Sequence, residues 1–554
     1  MMAENISFRP RSEHMKPVKK ISLLCLCTLL LTGLLLPVKA EAADYKFNMS
    51  YIYFGGSSEY TGLVDKTQNS LNEVSPNYFA LKSDGSLVLT AALNASFIND
   101  MHQRGIAVVP YLSNDWSRTV GKAALRNREQ LSLSLAEAVT DNDLDGVNID
   151  IENVTSSEKA AYVDFIRLLR LLLPDKRIVV SVAANPWGIS TGWQGSYDYA
   201  GLAEYCDYLM MMTYDEHYCG GPAGPISSLS YIEDSIEYAL SVIPKEQLVL
   251  GLPFYGRIWS DTGGHPNGYG VSNAAITQYI SRYGGTVRFD PTSKSAKAVI
   301  TIKPEDKKPV IGGKALEAGT YTIWYENEQS IKTKLELIAK FDIKGTGSWC
   351  LGQETSNTWD YYKLWLNNCT FTDIETSWAK DYILDAYMNS YITGFSSESF
   401  APDAPLTRAQ AVAVLVRKLG LSPVLEPSYA FDDCVGNWAQ PYIETARKYG
   451  MVGGVGGNLF APDRPIARTE MTVLLRNAIA LQTYGGDTPF TDLAPVVFLL
   501  PAAGDAAVID DVLSEYSDSE TPAEAVTRAE MTVLLAKIPD TDALPGAMAK
   551  YVPV

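Results

Sequence analysis

The sequence predicts an α/β fold: a (β/α)8 barrel, or TIM barrel, with a small α+β insertion after its seventh strand, followed by an all-α domain of three repeats. Three observations carry this expectation. From about Lys46 to Gln353, short β-branched apolar runs alternate with amphipathic stretches, the pattern of a parallel sheet covered by helices on both faces. Eight such units over roughly 250–300 residues match the size of a closed eightfold barrel. An open doubly wound sheet fits less well, because no Gly-rich phosphate loop follows any of the runs. Beyond about residue 369 the chain repeats itself with a period near 60 residues, which marks an array of like units.

In chain order, the first 20 residues carry Arg9, Arg11, Lys16, Lys19 and Lys20, followed by the apolar run Ile21 to Leu36 and the triplet Val38-Lys39-Ala40. A basic stretch, an apolar run and a small-residue cleavage site are the order of an export signal. The run is shorter than the ~20 residues that span a bilayer, so residues 1–40 are expected to be removed, leaving no membrane segment. The barrel, residues 44–368, is expected to place strands at Phe47 to Phe54, Asn77 to Leu81, Ile106 to Tyr111, Gly146 to Ile151, Ile178 to Val182, Tyr208 to Thr213, Leu248 to Leu252 and Gly347 to Leu351. Between them lie helical stretches such as Leu131 to Val139, Ala160 to Leu172 and Ile232 to Val242. The pattern breaks into shorter β-like runs over about 260–322, which reads as the insertion.

The repeats, residues 369–540, are expected as units at 371–420, 431–480 and 490–537. Phe371-Thr-Asp373, Phe431-Asp-Asp433 and Phe490-Thr-Asp492 open them; Phe400-Ala-Pro402-Asp403 and Phe460-Ala-Pro462-Asp463 recur; Arg408, Arg468 and Arg528 each begin a closing helix. The third unit has lost its Trp and its Phe-Ala-Pro turn. With its own apolar pattern, each part is expected to have a separate core.

Composition narrows the function. The chain has 554 residues, 46% of them hydrophobic, and a net charge of −18. Such an excess of acid argues against a nucleic-acid partner, which requires basic patches. Four His and no CxxC pair make a zinc site improbable, and no metal or organic cofactor is expected. Of the seven Cys, Cys25 and Cys27 lie in the export signal; the remaining five assign no disulfide pairs.

The chemistry is concentrated on the fourth strand, Asp145-Gly-Val-Asn148-Ile-Asp150-Ile-Glu152. Side chains alternate along a strand, so Val147, Ile149 and Ile151 face the helices while Asn148, Asp150 and Glu152 face the barrel interior. Polar groups are costly to bury unpaired, and at the C-terminal mouth of a barrel strand they read as catalytic.

This string resembles the DxxDxDxE signature of glycoside hydrolase family 18, the chitinase-like barrels. Met210-Met-Met212-Thr-Tyr214-Asp215, Gly251-Leu-Pro253-Phe-Tyr255-Gly256-Arg257 and Trp349 resemble that family's sixth, seventh and eighth strands in order. The resemblance, over residues 46–366, implies cleavage of a β-1,4 bond next to an N-acetylated sugar, with the substrate's own acetamido oxygen as nucleophile. It implies Glu152 as general acid and base, Asp150 as the group that orients the acetamido N–H and keeps Glu152 protonated, and Tyr214 as a donor to the acetamido carbonyl. Asn148, Met212, Asp215, Tyr53, Tyr255, Arg257 and Trp349 would line the sugar subsites. Asn148 stands where the family most often has Asp. That form, with Tyr-Asp-Glu-His after strand six, is similar to the bacterial branch of spore cortex-lytic N-acetylglucosaminidases and shifts the expected substrate from chitin toward peptidoglycan. An uncharged Asn148 is expected to leave Asp150 ionised over more of the acidic range. Glu216 is a further candidate contact, and His217 and Cys219 read as rim residues. A chitooligosaccharide hydrolase and a non-catalytic sugar-binding surface-layer protein are the alternatives.

The repeats resemble surface-layer homology (SLH) domains, which hold a secondary cell-wall polymer. The Thr-Arg-Ala-Glu type string points to Arg408, Arg468 and Arg528 as polymer-binding residues, an Arg fork being suited to acidic sugar substituents. Together these imply a secreted glycosidase bound to the cell wall or surface layer.

Overall fold

The structure, a computed structural model, describes residues 45–424, 431–484 and 525–538. The export signal and the opening of the third repeat, Phe490-Thr-Asp492, lie outside the described residues. No described helix is long and apolar enough to cross a membrane.

Eight parallel strands close into a barrel: β1 (Phe47–Ile52), β2 (Glu73–Pro76), β3 (Ala107–Val108, resuming at Tyr111–Ser113), β4 (Gly146–Asp150), β5 (Arg177–Ala183), β6 (Tyr208–Met212), β7 (Leu248–Pro253) and β8 (Gly345–Trp349). Each pairs with the next, and β1 pairs with β8 to complete the ring. The apolar alternation decides which face turns outward. Val147, Ile149 and Ile151 are fully buried against the helix layer, each worth about 1.5–3 kcal/mol of hydrophobic stabilisation. Inside, Met49, Tyr51, Val109, Tyr111, Val179, Tyr208, Met210 and Val249 fill the barrel. Room for the methionines comes from glycine: a Cβ on Gly347 would lie 2.7 Å from the Met49 sulfur.

The second strand departs from expectation. It runs over Glu73–Pro76, and the expected Asn77 to Leu81 run supplies instead a short strand, Phe79–Leu81, which turns back as a hairpin with Leu87–Leu89. The run Glu73-Val-Ser-Pro was hidden from hydropathy because its inward residues are polar. Glu73, fully buried, accepts from Tyr208 Oη at 2.6 Å and pairs with Arg177 at 2.9 Å. Burial pushes its carboxyl up to about 7.

The insertion is a five-stranded antiparallel sheet with one helix, Asn273–Arg282, and a separate core around Ile258, Ile276, Ile300 and Ile323. Its strands run from Tyr255 to Tyr325, wider than expected at both ends. Beneath it the fully buried Glu326 and Lys334 form an ion pair, with Ser295 hydrogen-bonded to Glu326.

The repeats form a helical unit with threefold repetition. Leu406 N donates to Val526 O, Ile466 N to Leu406 O and Val526 N to Ile466 O, at 2.8–3.0 Å, so equivalent residues 60 apart meet in one ring. The recurring sequence pieces explain each other. Asp373 accepts from the backbone N–H groups of Phe400 and Ala401, and Asp433 from those of Phe460 and Ala461. The two alanines are thereby held at φ 57° and 58°, a left-handed conformation that costs a non-glycine residue free energy. The separate cores expected from sequence are not found. One continuous apolar cluster runs from the barrel helices through Trp365, Leu366 and Cys369 into Phe371, Ile374 and Ile383 of the first repeat. The five described cysteines are all unpaired.

Candidate active site

The C-terminal end of β4 delivers Asp150 and Glu152 to the barrel mouth. Asp150 is 5% exposed and its Oδ1 has no hydrogen-bond partner among the described residues. Such an orphaned buried acceptor is costly. Burial, reinforced by the nearby charge of Asp115, pushes its carboxyl up to about 7. Burial first, then the charges of Asp150 and Asp215, hold the Glu152 carboxyl well above its ordinary range. A carboxyl group whose ionisation is opposed by burial and by neighbouring carboxylates suits a general acid.

Asn148 lies one inward step below Asp150, fully buried. Its Nδ2 donates to Tyr51 Oη (3.0 Å), its Oδ1 accepts from Ser181 Oγ (2.9 Å), and the two hydroxyls are 2.6 Å apart. This closed ring satisfies all three groups. Burial dominates at Asp150, so its carboxyl is raised toward neutrality and is not an anion through the acidic range as expected; the polar atoms of Asn148 are engaged with Tyr51 and Ser181.

Tyr214 follows β6 into the same interior cluster as Met212 and Trp349, and lies in the fields of Asp150 and Glu152. Asp215, next along, has φ 60° and is clamped from the first strand of the insertion. Tyr255 Oη donates to its Oδ1 at 2.6 Å, while Arg257 donates through Nε to Oδ1 at 2.8 Å and through Nη2 to Oδ2 at 2.7 Å. A bidentate fork of this kind fixes orientation as well as charge. Trp349, from β8, sits 5.2 Å from the Tyr51 ring and 5.4 Å from Tyr53, and Tyr53 is 42% exposed. These rings give the mouth an apolar floor on which a sugar face can stack. Glu216 turns away, accepting from Ser228 N and Oγ. His217 bonds the Pro225 carbonyl, 2.8 Å away, so both serve the loop.

Several residues at the mouth escaped sequence reasoning. Asn114, 2% exposed, accepts from Glu152 N at 2.8 Å and donates to Glu152 O at 2.9 Å, gripping the backbone of the acid from both sides. Trp116 beside it is half exposed, with its carbonyl held by Asn153 and its ring 5.4 Å from Trp193. The run Asn114-Asp-Trp116 directly after the third strand was the available signal, since loops at that end of a barrel carry function. Arg408, Arg468 and Arg528 are 8%, 2% and 5% exposed. They are brought together not as three open forks but as inward-turned links between successive repeats.

Comparison with known proteins agrees with this geometry. The sequence profile described as Glycosyl hydrolases family 18 matches residues 49–354, and that of the S-layer homology domain matches residues 370–412 and 430–472. Among curated relatives, an uncharacterized glycosylase, YvbX, of Bacillus subtilis is 26% identical over 333 residues, covering 58% of this chain and 92% of the relative. A cortical fragment-lytic enzyme of Bacillus subtilis is 25% identical over 293 residues, covering 51% of this chain and 64% of that enzyme. The crystal structure of a chitinase from Chromobacterium violaceum superposes with a TM-score of 0.51 at 23% identity, over 58% of this chain and 98% of the chitinase, a likeness of fold. With more than half its length matched by the profile and the acidic strand at the barrel mouth, the chain belongs to glycosyl hydrolase family 18, as a glycosidase barrel carrying S-layer homology domains.

Proposed function

We propose that the protein is an exported, wall-anchored enzyme that hydrolyses β-1,4 linkages next to N-acetylglucosamine in peptidoglycan, by a retaining, substrate-assisted mechanism. The observation that carries this reading is the pair of inward carboxyl groups at the end of β4: Glu152, raised well above its ordinary range by burial and by its acidic neighbours, one inward position beyond a buried Asp150 with an unsatisfied oxygen. Glu152 protonates the glycosidic oxygen as the acetamido oxygen of the substrate attacks the anomeric carbon. The acetamido N–H is the donor that Asp150 Oδ1 lacks, and the negative charge of Asp150 offsets the positive charge of the ring that forms. Tyr214 donates to the acetamido oxygen and so positions it. Glu152 then removes a proton from the water that opens the intermediate, completing retention. Tyr53, Tyr255, Met212 and Trp349 bound the sugar, with Asp215 oriented by Arg257.

Peptidoglycan is favoured over chitin by Asn148 in the Gly-Val-Asn-Ile-Asp-Ile-Glu string and by the S-layer homology domains, which bring the barrel to the cell surface. The cortical fragment-lytic relative adds weight in the same direction. The test is digestion of purified peptidoglycan and of chitin side by side, with products identified by mass spectrometry. Muropeptides ending in reducing N-acetylglucosamine from the first, with little release from the second, are expected. Chitin as the better substrate overturns the peptidoglycan reading, and release from neither overturns the enzyme reading.

A further inference from the structure

The insertion carries a charge opposite to that of the chain as a whole. Between Tyr255 and Tyr325 stand nine Lys and Arg against five Asp and Glu, a net charge of +4 in a chain of −18. Its sheet has two unlike faces. One packs Ile258, Ile300 and Ile323 against the helix Asn273–Arg282. The other carries a row of long side chains set by the strand register. Arg257 pairs with Trp324, Trp324 with Lys297 and Lys297 with Arg288, in four neighbouring antiparallel strands. Residues directly opposite one another share a face, so these four stand side by side, over about 14 Å at the spacing of strands.

The row begins in the active site, where Arg257 holds Asp215. Lys297 Nζ lies 5.4 Å from the centre of the Trp324 ring, a cation kept in place against an aromatic face. Arg288, on the edge strand Thr286–Phe289, is exposed. Of the three cations, Arg257 alone has a salt bridge among the described residues. The charge of Lys297 reaches Asp290, whose Oδ1 accepts from the backbone N–H groups of Thr292 and Ser293 and from the Ser293 hydroxyl. The next row on this face, Trp259, Thr322, Val299 and Thr286, is uncharged; beyond it Asp261 accepts from Thr322 Oγ1.

We propose that Lys297 and Arg288 extend the active site as a carboxylate reader: a glycan strand seated at Asp215 runs on across this face of the insertion, and the carboxyl groups on its lactyl and peptide substituents meet the two cations. The proposal rests on the peptidoglycan reading and names the residues that select that substrate. Neutral chitin has no group to satisfy them, whereas a peptide-bearing strand carries carboxylates along its length. A chain of net charge −18 otherwise repels such a polyanion, and a local strip of positive charge that starts at the catalytic mouth offsets this where the strand must lie.

The test uses the full chain and one substrate in two forms: soluble peptide-bearing glycan strands, native and with their carboxyl groups amidated by carbodiimide and methylamine. Hydrolysis of neither form overturns the peptidoglycan reading and this one with it. Given hydrolysis, amidation should lower kcat/KM about fivefold or more, and added salt should narrow the difference by screening. Lys297→Glu and Arg288→Glu, both at the surface, should melt like the unmutated chain. Each should lower kcat/KM on native strands by a similar factor, through KM, so that the two forms are cleaved alike. Lys314→Glu, exposed on the hairpin Val310 to Ala315 away from the row, makes the same change in net charge and should keep the preference for native strands. Equal or faster cleavage of amidated strands by the unmutated chain, a preference that survives in both row variants, or an equal loss in Lys314→Glu overturns this proposal and leaves the peptidoglycan reading standing.

Discussion

At the scale of single residues, the site is governed by burial of carboxyl groups. Glu152→Gln keeps the shape of the side chain and removes its proton, so it should fold normally, bind substrate and lose ~10²–10⁴-fold in kcat; near-normal turnover would remove Glu152 from the reaction. Asn148 sets a second test. In Asn148→Asp, a carboxylate would lie fully buried between Tyr51 and Ser181, one inward position from Asp150. Close like charges resist ionising together, so the carboxyl of Asp150, already raised by burial, rises further. In the proposed mechanism Asp150 acts as an anion, so the acidic limb of kcat/KM against pH should move upward, with activity lost first at low pH. A pH–rate profile on one soluble oligosaccharide reads this directly, and superimposable limbs would show that Asn148 does not tune its neighbour.

At the scale of elements, the insertion is tied to the chemistry by its first strand. Arg257 and Tyr255 reach from that strand to Asp215 at the end of β6, and Arg257 Nη1 also donates to Gly268 O in the adjoining strand at 2.7 Å. The fork thus couples the hairpin to the catalytic mouth. Arg257→Lys preserves the charge but cannot make two parallel bonds to Asp215. Losing one charge-assisted hydrogen bond is worth about 1.5–3 kcal/mol, so the melting temperature should fall by a few degrees, and with Asp215 no longer held in place kcat/KM should fall by roughly tenfold or more. An unchanged kcat/KM would mean that Asp215 needs no clamp. The same scale shows where hydropathy misleads. β4 was legible because its outward residues are apolar without interruption. β2 was not, because Glu73 and Ser75 face inward and Pro76 ends it.

At the scale of the whole molecule, barrel and repeats share apolar contacts and ion pairs. Lys332 bridges to Glu375 at 2.7 Å, Lys363 to Asp381 at 3.0 Å, and Tyr45 donates to Asp385 at 3.1 Å. Lys380 reaches back to Gln68 and to the carbonyls of Trp359 and Asp360. A chain ending at Asn368 would uncover Trp365, Leu366 and the surface around them. It should retain hydrolysis on soluble substrate, lose wall binding, and melt at least about 5 °C lower, since each kcal/mol lost shifts the midpoint by a few degrees in a domain of this size. Equal melting of the two chains would show that the shared core contributes nothing to the barrel.

Sequence by itself determined the barrel and the polarity of β4, and it put the candidate acid Glu152 on that strand, because a two-residue alternation and a row of inward carboxyl groups are local features. It also determined the repeats, whose Phe-x-Asp and Phe-Ala pieces recur because each pair forms one turn. Tertiary structure alone decided the rest. Asn114 grips Glu152, and Trp116 reaches the mouth, through a loop distant in sequence. The ring of Asn148, Tyr51 and Ser181 draws on three strands. The three arginines look alike along the chain, yet Arg408 and Arg468 meet Glu470 and Glu530 of the following repeat, while closure of the ring brings Arg528 to the carbonyls of Phe400 and Thr393 in the first.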